Sequence, residues 1–204
     1  MGIYERQVLP RITDLVLRGA EFTTMRERAA SELSGEVLEI GFGSGRNVPH
    51  YPGAVTKVWA VEPAALGREL ASARIAASSV PIEHVGLDGK DLPLEDESVD
   101  CVLSMWTLCT IPDVHRALTE ARRVLRPGGT IHFVEHGRAP DERVARWQDR
   151  LTPLQRRLFG GCHLNRPIDR LVADAGFQLM RLDTHYVKGP KPFGYMYEGL
   201  GTKA

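Results

Sequence analysis

Three glycines at alternate positions, Gly41, Gly43 and Gly45, follow the apolar run Val37-Leu38-Glu39-Ile40. Such a run reads as a buried parallel strand, and the glycines beyond it allow positive φ and leave bare backbone N–H groups that a ligand can approach. Two acids accompany the turn. Glu39 lies inside the strand, where a carboxylate is costly unless paired, so it is a candidate to hold the amino group of a zwitterionic ligand. Glu62 ends a second run, Lys57-Val58-Trp59-Ala60-Val61, at the distance from the turn where an acid accepts from both hydroxyls of a ribose. The dinucleotide fingerprint G-x-G-x-x-G asks for a third glycine where this chain has Arg46. That departure, together with Glu39, argues against a nicotinamide dinucleotide.

The chain has 204 residues, the size of one α/β domain that can bury a core without staples. Lys plus Arg number 26 and Asp plus Glu 26, so no global field recruits a nucleic acid or an anionic membrane. The three cysteines, Cys101, Cys109 and Cys162, are odd in number and lack C-x-x-C spacing. This speaks against a disulfide framework and against a zinc site, so no metal is expected, and it suits a reducing cytosol. Glu5, Arg6, Arg11 and Asp14 interrupt the first turns, which therefore resemble neither a signal peptide nor the roughly 20 apolar residues of a membrane span. A cytoplasmic protein with no integral membrane segment is expected.

Glu39-x-Gly41-x-Gly43-x-Gly45 with the later Glu62 resembles the first motif and its successor in class I S-adenosylmethionine-dependent methyltransferases. The segment Leu87-Asp88-Gly89-Lys90-Asp91-Leu92-Pro93-Leu94, followed by Ser98-Val99-Asp100, looks like that family's adenine-binding loop. Val124-Leu125-Arg126-Pro127-Gly128-Gly129 looks like its turn into the fifth strand. The resemblance implies S-adenosylmethionine as cofactor and S-adenosylhomocysteine as product. It also implies that Asp88 accepts from the adenine amino group and that the Gly89 N–H meets a ring nitrogen. Phe42, Asn47, Pro63, Ser104 and Met105 complete the cofactor set by position.

The elements that must position these residues alternate. Helices are expected at 4–17, 21–33, 45–50, 64–77 and 113–125, the last with Pro112 at its start, and strands at 36–40, 57–61, 81–86, 99–105 and 130–135. Beyond these, a helical period over 141–160 is interrupted at Pro153, and a helix over 164–175 stops at Gly176. Strands at 177–185 and 193–200 flank a turn at 186–192. This pattern is α/β, with helices on both faces of a mostly parallel sheet joined by right-handed crossovers. The family resemblance makes it a Rossmann-like seven-stranded sheet whose last strand is antiparallel. A single domain is expected, with an N-terminal helical lid at 1–35, a cofactor half at 36–135 and a substrate side at 136–204. The glycine turn, Glu62, Asp88 and the segment after Met105 all fall at the carboxyl ends of the strands, where open α/β sheets bind ligands.

Methyl transfer from a sulfonium is an in-line displacement in which positioning alone can be worth roughly 7–11 kcal/mol. A base that removes the acceptor's proton adds about 10²–10⁴-fold. His136, at the end of strand five, is the candidate for that base or for substrate contact; otherwise it bonds the neighbouring loop. Trp106, at the head of Trp106-Thr107-Leu108-Cys109-Thr110-Ile111, walls the methyl channel or is simply core. Trp147, His163 and Arg166 are further acceptor-side candidates, with Arg166 either pairing a carboxylate or capping the preceding helix. Cys162 and His163, though adjacent, need not face each other.

A narrower resemblance rests on Leu108-Cys109-Thr110-Ile111, Arg123-Val124-Leu125-Arg126-Pro127-Gly128-Gly129, Glu135-His136, Trp147-Gln148 and Gly161-Cys162-His163-Leu164 with Arg166. Together these look like animal methyltransferase-like proteins that methylate small alkyl thiols, and their bacterial relatives. Those animal proteins carry an N-terminal membrane anchor; here polar helices over 4–33 stand instead. Related signatures occur in quinone C-methyltransferases and phospholipid N-methyltransferases. The acceptor implied is a small, largely apolar molecule with one nucleophilic tip, most plausibly a thiol. A quinone, a phenol, a lipid headgroup and a non-catalytic cofactor-binding module are the alternatives.

Overall fold

The computed structural model describes residues 4–86, 89 and 91–203, leaving aside the side chains of Glu5 and Arg6. Asp88, the expected adenine partner, lies outside the described residues. Seven strands form one sheet: β1 (Gly35–Ile40), β2 (Val55–Val61), β3 (Ile82–His84), β4 (Val99–Met105), β5 (Leu125–His136), β6 (Phe177–Tyr186) and β7 (Tyr195–Lys203). Their order is β3-β2-β1-β4-β5-β7-β6. β1 runs parallel to β2 and β4, β2 to β3 and β4 to β5, while β7 is inserted antiparallel between β5 and β6. The Rossmann-like sheet with its final antiparallel strand is thus the fold observed.

The helices are α1 (Leu9–Val16), α2 (Ala20–Ala30), α3 (Ala65–Ala76), α4 (Val114–Val124), α5 (Glu142–Leu158) and α6 (Ile168–Asp174). They cover two apolar layers, one on each face of the sheet. On one face Val114, Leu118, Ala121 and Val124 of α4 recur at helical spacing and pack with Ile168 and Val172 of α6 against Leu38, Ile40, Val102 and Ile131. On the other, Met25 and Ala30 of α2 and Ala71 of α3 meet Val37, Val58, Leu103 and Val134. Each fully buried aliphatic side chain contributes about 1.5–3 kcal/mol to folding. Alternation along β1 puts Glu39 on the same side as Val37, facing α2.

Four expectations are corrected by local chemistry. The helix expected at 45–50 is a single 3₁₀ turn, Val48–His50, because Gly45 takes a positive φ of 73°. Pro153 does not interrupt α5. The helix keeps Ala145, Gln148 and Thr152 buried against the body, and Thr152 Oγ1 donates to the Gln148 carbonyl at 2.7 Å in the turn ahead of the proline. The helix expected from 164 begins only at Ile168, behind Pro167. The fifth strand starts at Leu125, before the expected glycine turn, and Gly128 (φ 75°) bends within it.

Candidate active site

The glycine turn is built as its spacing suggests. Gly41, Gly43 and Gly45 all have positive φ, at 80°, 56° and 73°. A Cβ on Gly41 would fall 1.9 Å from Thr107 Oγ1, so the bare backbone lets the loop after β4 close on the turn. A Cβ on Gly43 would meet only the Gly41 carbonyl, at 3.8 Å, which leaves that side open. Phe42 is a core side chain, its ring edge-on to His84 at 5.5 Å, and its N–H goes to the Val61 carbonyl.

Glu39 is 1% exposed and is met by Asn47 Nδ2 at 2.8 Å and by the Tyr51 hydroxyl. Burial pushes its carboxyl up to about 7, against the opposing hydrogen bonds from Tyr51 and Asn47 and the charge of Arg26. Beside it the buried Asn47 Oδ1 has no hydrogen-bond partner among the described residues. A carboxylate and an orphaned amide oxygen side by side fit an ammonium group, which is the amino end of S-adenosylmethionine.

Glu62 is also buried, and its two oxygens accept from the Gly43 and Ala64 N–H groups at 2.7 Å each. Burial raises its carboxyl, partly offset by these two N–H groups. The second acid therefore clamps the glycine turn from the end of β2, and its remaining lone pairs are available to diol hydroxyls. Pro63, next to it, is exposed.

After β4 the chain turns at Trp106, which holds a positive φ of 50°. Its ring takes the edge of Phe22 from α2 at 5.5 Å and lies under the Arg26 guanidinium at 4.8 Å, so α2 roofs it. Its indole Nε1 is buried with no acceptor among the described residues. The neighbouring Met105 is buried, and Ser104 Oγ donates to Glu135 Oε1 at 3.2 Å. Glu135, fully buried at the end of β5, also accepts from the Thr107 and Leu108 N–H groups at 2.8 Å and from Cys109 at 3.3 Å. Burial raises its carboxyl against those N–H groups. Sequence reasoning missed this anchor, although the acid-in-an-apolar-strand signal that singled out Glu39 is present in Phe133-Val134-Glu135.

His136 Nε2 lies 2.9 Å from Cys162 Sγ, so any base role for the imidazole runs through that thiol. Cys109 Sγ joins them, the three ligand atoms lying within 4.8 Å of one another. Hydrogen bonding by Cys109 and by His136 holds the Cys162 thiol well below its usual range, while the same contact and burial push Cys109 up. His163 does not face Cys162: its N–H and its Nδ1 both meet the Cys109 carbonyl. Arg166 neither caps α5 nor stands free, since its guanidinium donates to the Leu108 carbonyl. Trp147 sits on the outer face of α5, 48% exposed, beneath the Arg150 guanidinium at 5.6 Å. The fold thus brings Cys109, His136, Cys162, His163 and Arg166 together around the loop after β4 and leaves Trp147 at the surface.

A sequence model described as a methyltransferase domain matches residues 38–133. The chain is 30% identical over 192 residues to the thiol S-methyltransferase TMT1A of Homo sapiens, covering 88% of this chain and 72% of that one. It is 27% identical over 167 residues to a phosphatidylethanolamine N-methyltransferase of Cereibacter sphaeroides, covering 76% and 77%. Among solved structures, a SAM-dependent methyltransferase of Thermotoga maritima superposes with a TM-score of 0.70 at 23% identity, covering 99% and 98%. With the strand order, the glycine turn and the paired Glu39 and Asn47 in place, the chain belongs to the class I S-adenosylmethionine-dependent methyltransferases.

Proposed function

We propose that this methyltransferase acts on the sulfur of a small, largely apolar thiol. The observation that carries the reading is the 30% identity with a thiol S-methyltransferase along 88% of the chain. Local chemistry supports it, because the loop after β4 sets Trp106 and Cys109 at the same carboxyl edge of the sheet as His136. When bound, the cofactor supplies an electrophilic methyl group.

The protein's own residues then position and enclose. Glu39 and Asn47 hold the amino group, Glu62 with Pro63 fixes the ribose end against Gly43, and Asp88 with Gly89 takes the adenine. Trp106 walls the methyl side from under α2. His136, His163 and Arg166 shape the acceptor side, and Trp147 lies at its outer rim. Residues 1–35 act as a lid over a cofactor half at 36–135, with the acceptor handled by 136–204 as parts of one domain. Positioning of this kind can lower the barrier by roughly 7–11 kcal/mol without a nucleophile from the protein. No described helix is long and apolar enough to cross a membrane; we place the protein in the cytoplasm, acting on small molecules and not on nucleic acid.

The test is incubation with S-adenosylmethionine and a panel of alkyl and aryl thiols, with phenols, quinols and amines in parallel. S-adenosylhomocysteine and methylated product are quantified by mass spectrometry. Thioether formation exceeding every other product supports the reading. Turnover confined to an amine headgroup would move the acceptor to nitrogen, as the 27% identity with a phospholipid N-methyltransferase favours. Tight cofactor binding without any turnover would make the chain a cofactor-binding module.

A further inference from the structure

Three side chains that can ligate a metal, two thiols and an imidazole, meet on the acceptor side of the proposed site. Cys109 comes from the loop after β4, His136 from the end of β5, and Cys162 from the turn after α5. Their ligand atoms all lie within 4.8 Å of one another, with Nε2 of His136 and Sγ of Cys162 at 2.9 Å. Zinc bonds of about 2.3 Å to sulfur and 2.0–2.1 Å to nitrogen place tetrahedral ligands roughly 3.5–3.8 Å apart. The trio's separations bracket ligand spacing, so side-chain adjustment would bring all three onto one cation.

We propose that Cys109, His136 and Cys162 form a three-ligand site for a thiophilic divalent cation of the zinc class, with a fourth position open to an exogenous thiol. Two sulfurs and an imidazole select borderline and soft cations over magnesium or calcium. Three protein ligands with one open position is the arrangement of catalytic, not structural, zinc sites.

The surroundings supply what such a site needs. Glu135 fixes the Thr107, Leu108 and Cys109 N–H groups. The His163 N–H and the Arg166 guanidinium hold the Cys109 and Leu108 carbonyls, and Gln155 Nε2 reaches Cys162 Sγ at 3.6 Å. Each loop that bears a ligand is thus held by a second contact, as outer-shell groups hold metal ligands. The charges close as well. On binding, two protons leave the Cys109, His136 and Cys162 cluster for solvent, so two thiolates meet the cation's two charges while a neutral imidazole donates a lone pair. Arg166, whose charge would oppose a cation, lies among Cys109, Glu135 and Cys162, whose negative charges offset it. An acceptor thiol in the fourth position would bind as thiolate and release its own proton.

The test needs no methyl transfer. Reduced, chelator-stripped protein is titrated with Co²⁺ alone, and the thiolate-to-cobalt charge-transfer and tetrahedral ligand-field bands are read. Zn²⁺ retained after gel filtration is measured by elemental analysis. The expected result is about one cation per chain, lost in Cys109→Ser and Cys162→Ser. Binding is kept in Cys101→Ser, whose sulfur sits apart beside Thr130. Gln155→Ala should weaken binding about 10–100-fold, and added 2-mercaptoethanol should shift the cobalt bands. Wild-type protein that shows no charge-transfer band with excess Co²⁺, or a Cys162→Ser variant that is folded by circular dichroism and still binds, overturns the site. Failure of the thiol panel leaves this result untouched, so the two readings fail separately.

Discussion

Asp14 on α1 grips Arg46 in the glycine turn through two hydrogen bonds, Nε at 2.7 Å and a terminal nitrogen at 2.8 Å, and takes the Ser44 hydroxyl at 2.5 Å. The residue that stands where a dinucleotide fold would place its third glycine is thus an anchor for α1. Burial alone would raise the Asp14 carboxyl, but Arg46, Ser44 and Arg18 hold it far below the usual carboxylate range. Arg18 is 58% exposed and adds little to stability.

Asp14→Asn should therefore loosen α1 without unfolding the sheet, at a cost of about 2 kcal/mol from weakened charge-assisted bonds. Amide exchange over residues 9–16 should quicken, and release of S-adenosylhomocysteine should accelerate in stopped flow. Unchanged exchange in α1 would mean the ion pair is not what holds the helix.

Cofactor affinity should depend on pH through Glu39. Its carboxyl is pushed up to about 7 by burial, so below that pH the ligand-free site is protonated and an ammonium must displace the proton. Affinity for S-adenosylhomocysteine should rise to a plateau above about pH 7 and be about tenfold weaker one unit below it. Glu39→Gln should flatten the profile in calorimetric titrations. The sign for stability is opposite. Because the folded-state carboxyl lies above its ordinary value of 4.5, the cofactor-free protein should lose stability as pH rises from about 4.5 through 7.

Glu62→Ala should act on fold and ligand together. Loss of the acceptor for the Gly43 and Ala64 N–H groups should lower the melting temperature. Loss of the ribose contacts should weaken cofactor binding by about 1.5–3 kcal/mol for each charge-assisted bond. A lowered melting temperature with unaltered affinity would confine Glu62 to clamping the turn.

Trp106→Phe separates a ligand contact from a core contact. The indole Nε1 is buried without an acceptor, and such a donor costs about 1–3 kcal/mol. Removing it should leave the cofactor-free melting temperature unchanged or higher while turnover or cofactor affinity falls. A fall in stability with kinetics intact would show that the ring is core and nothing more.

The parts whose physics is local were legible in the chain. Glycines needing positive φ after an apolar strand, an acid inside that strand, and a second acid at the end of the next strand marked the cofactor turn. Alternating strand and helix periods determined the parallel sheet. Helix ends were less legible, because α5 carries Pro153 through its middle on the strength of tertiary burial that no local propensity shows. Which side chains meet emerged from the folded arrangement. Asp14 and Arg46, or Cys109, His136 and Cys162, lie on separate segments whose spacing in the chain carries no signal. Arg46, Cys109 and His136 share one edge of the sheet because the carboxyl ends of parallel strands deliver them there, and α1 and the turn after α5 pack Asp14 and Cys162 onto that edge.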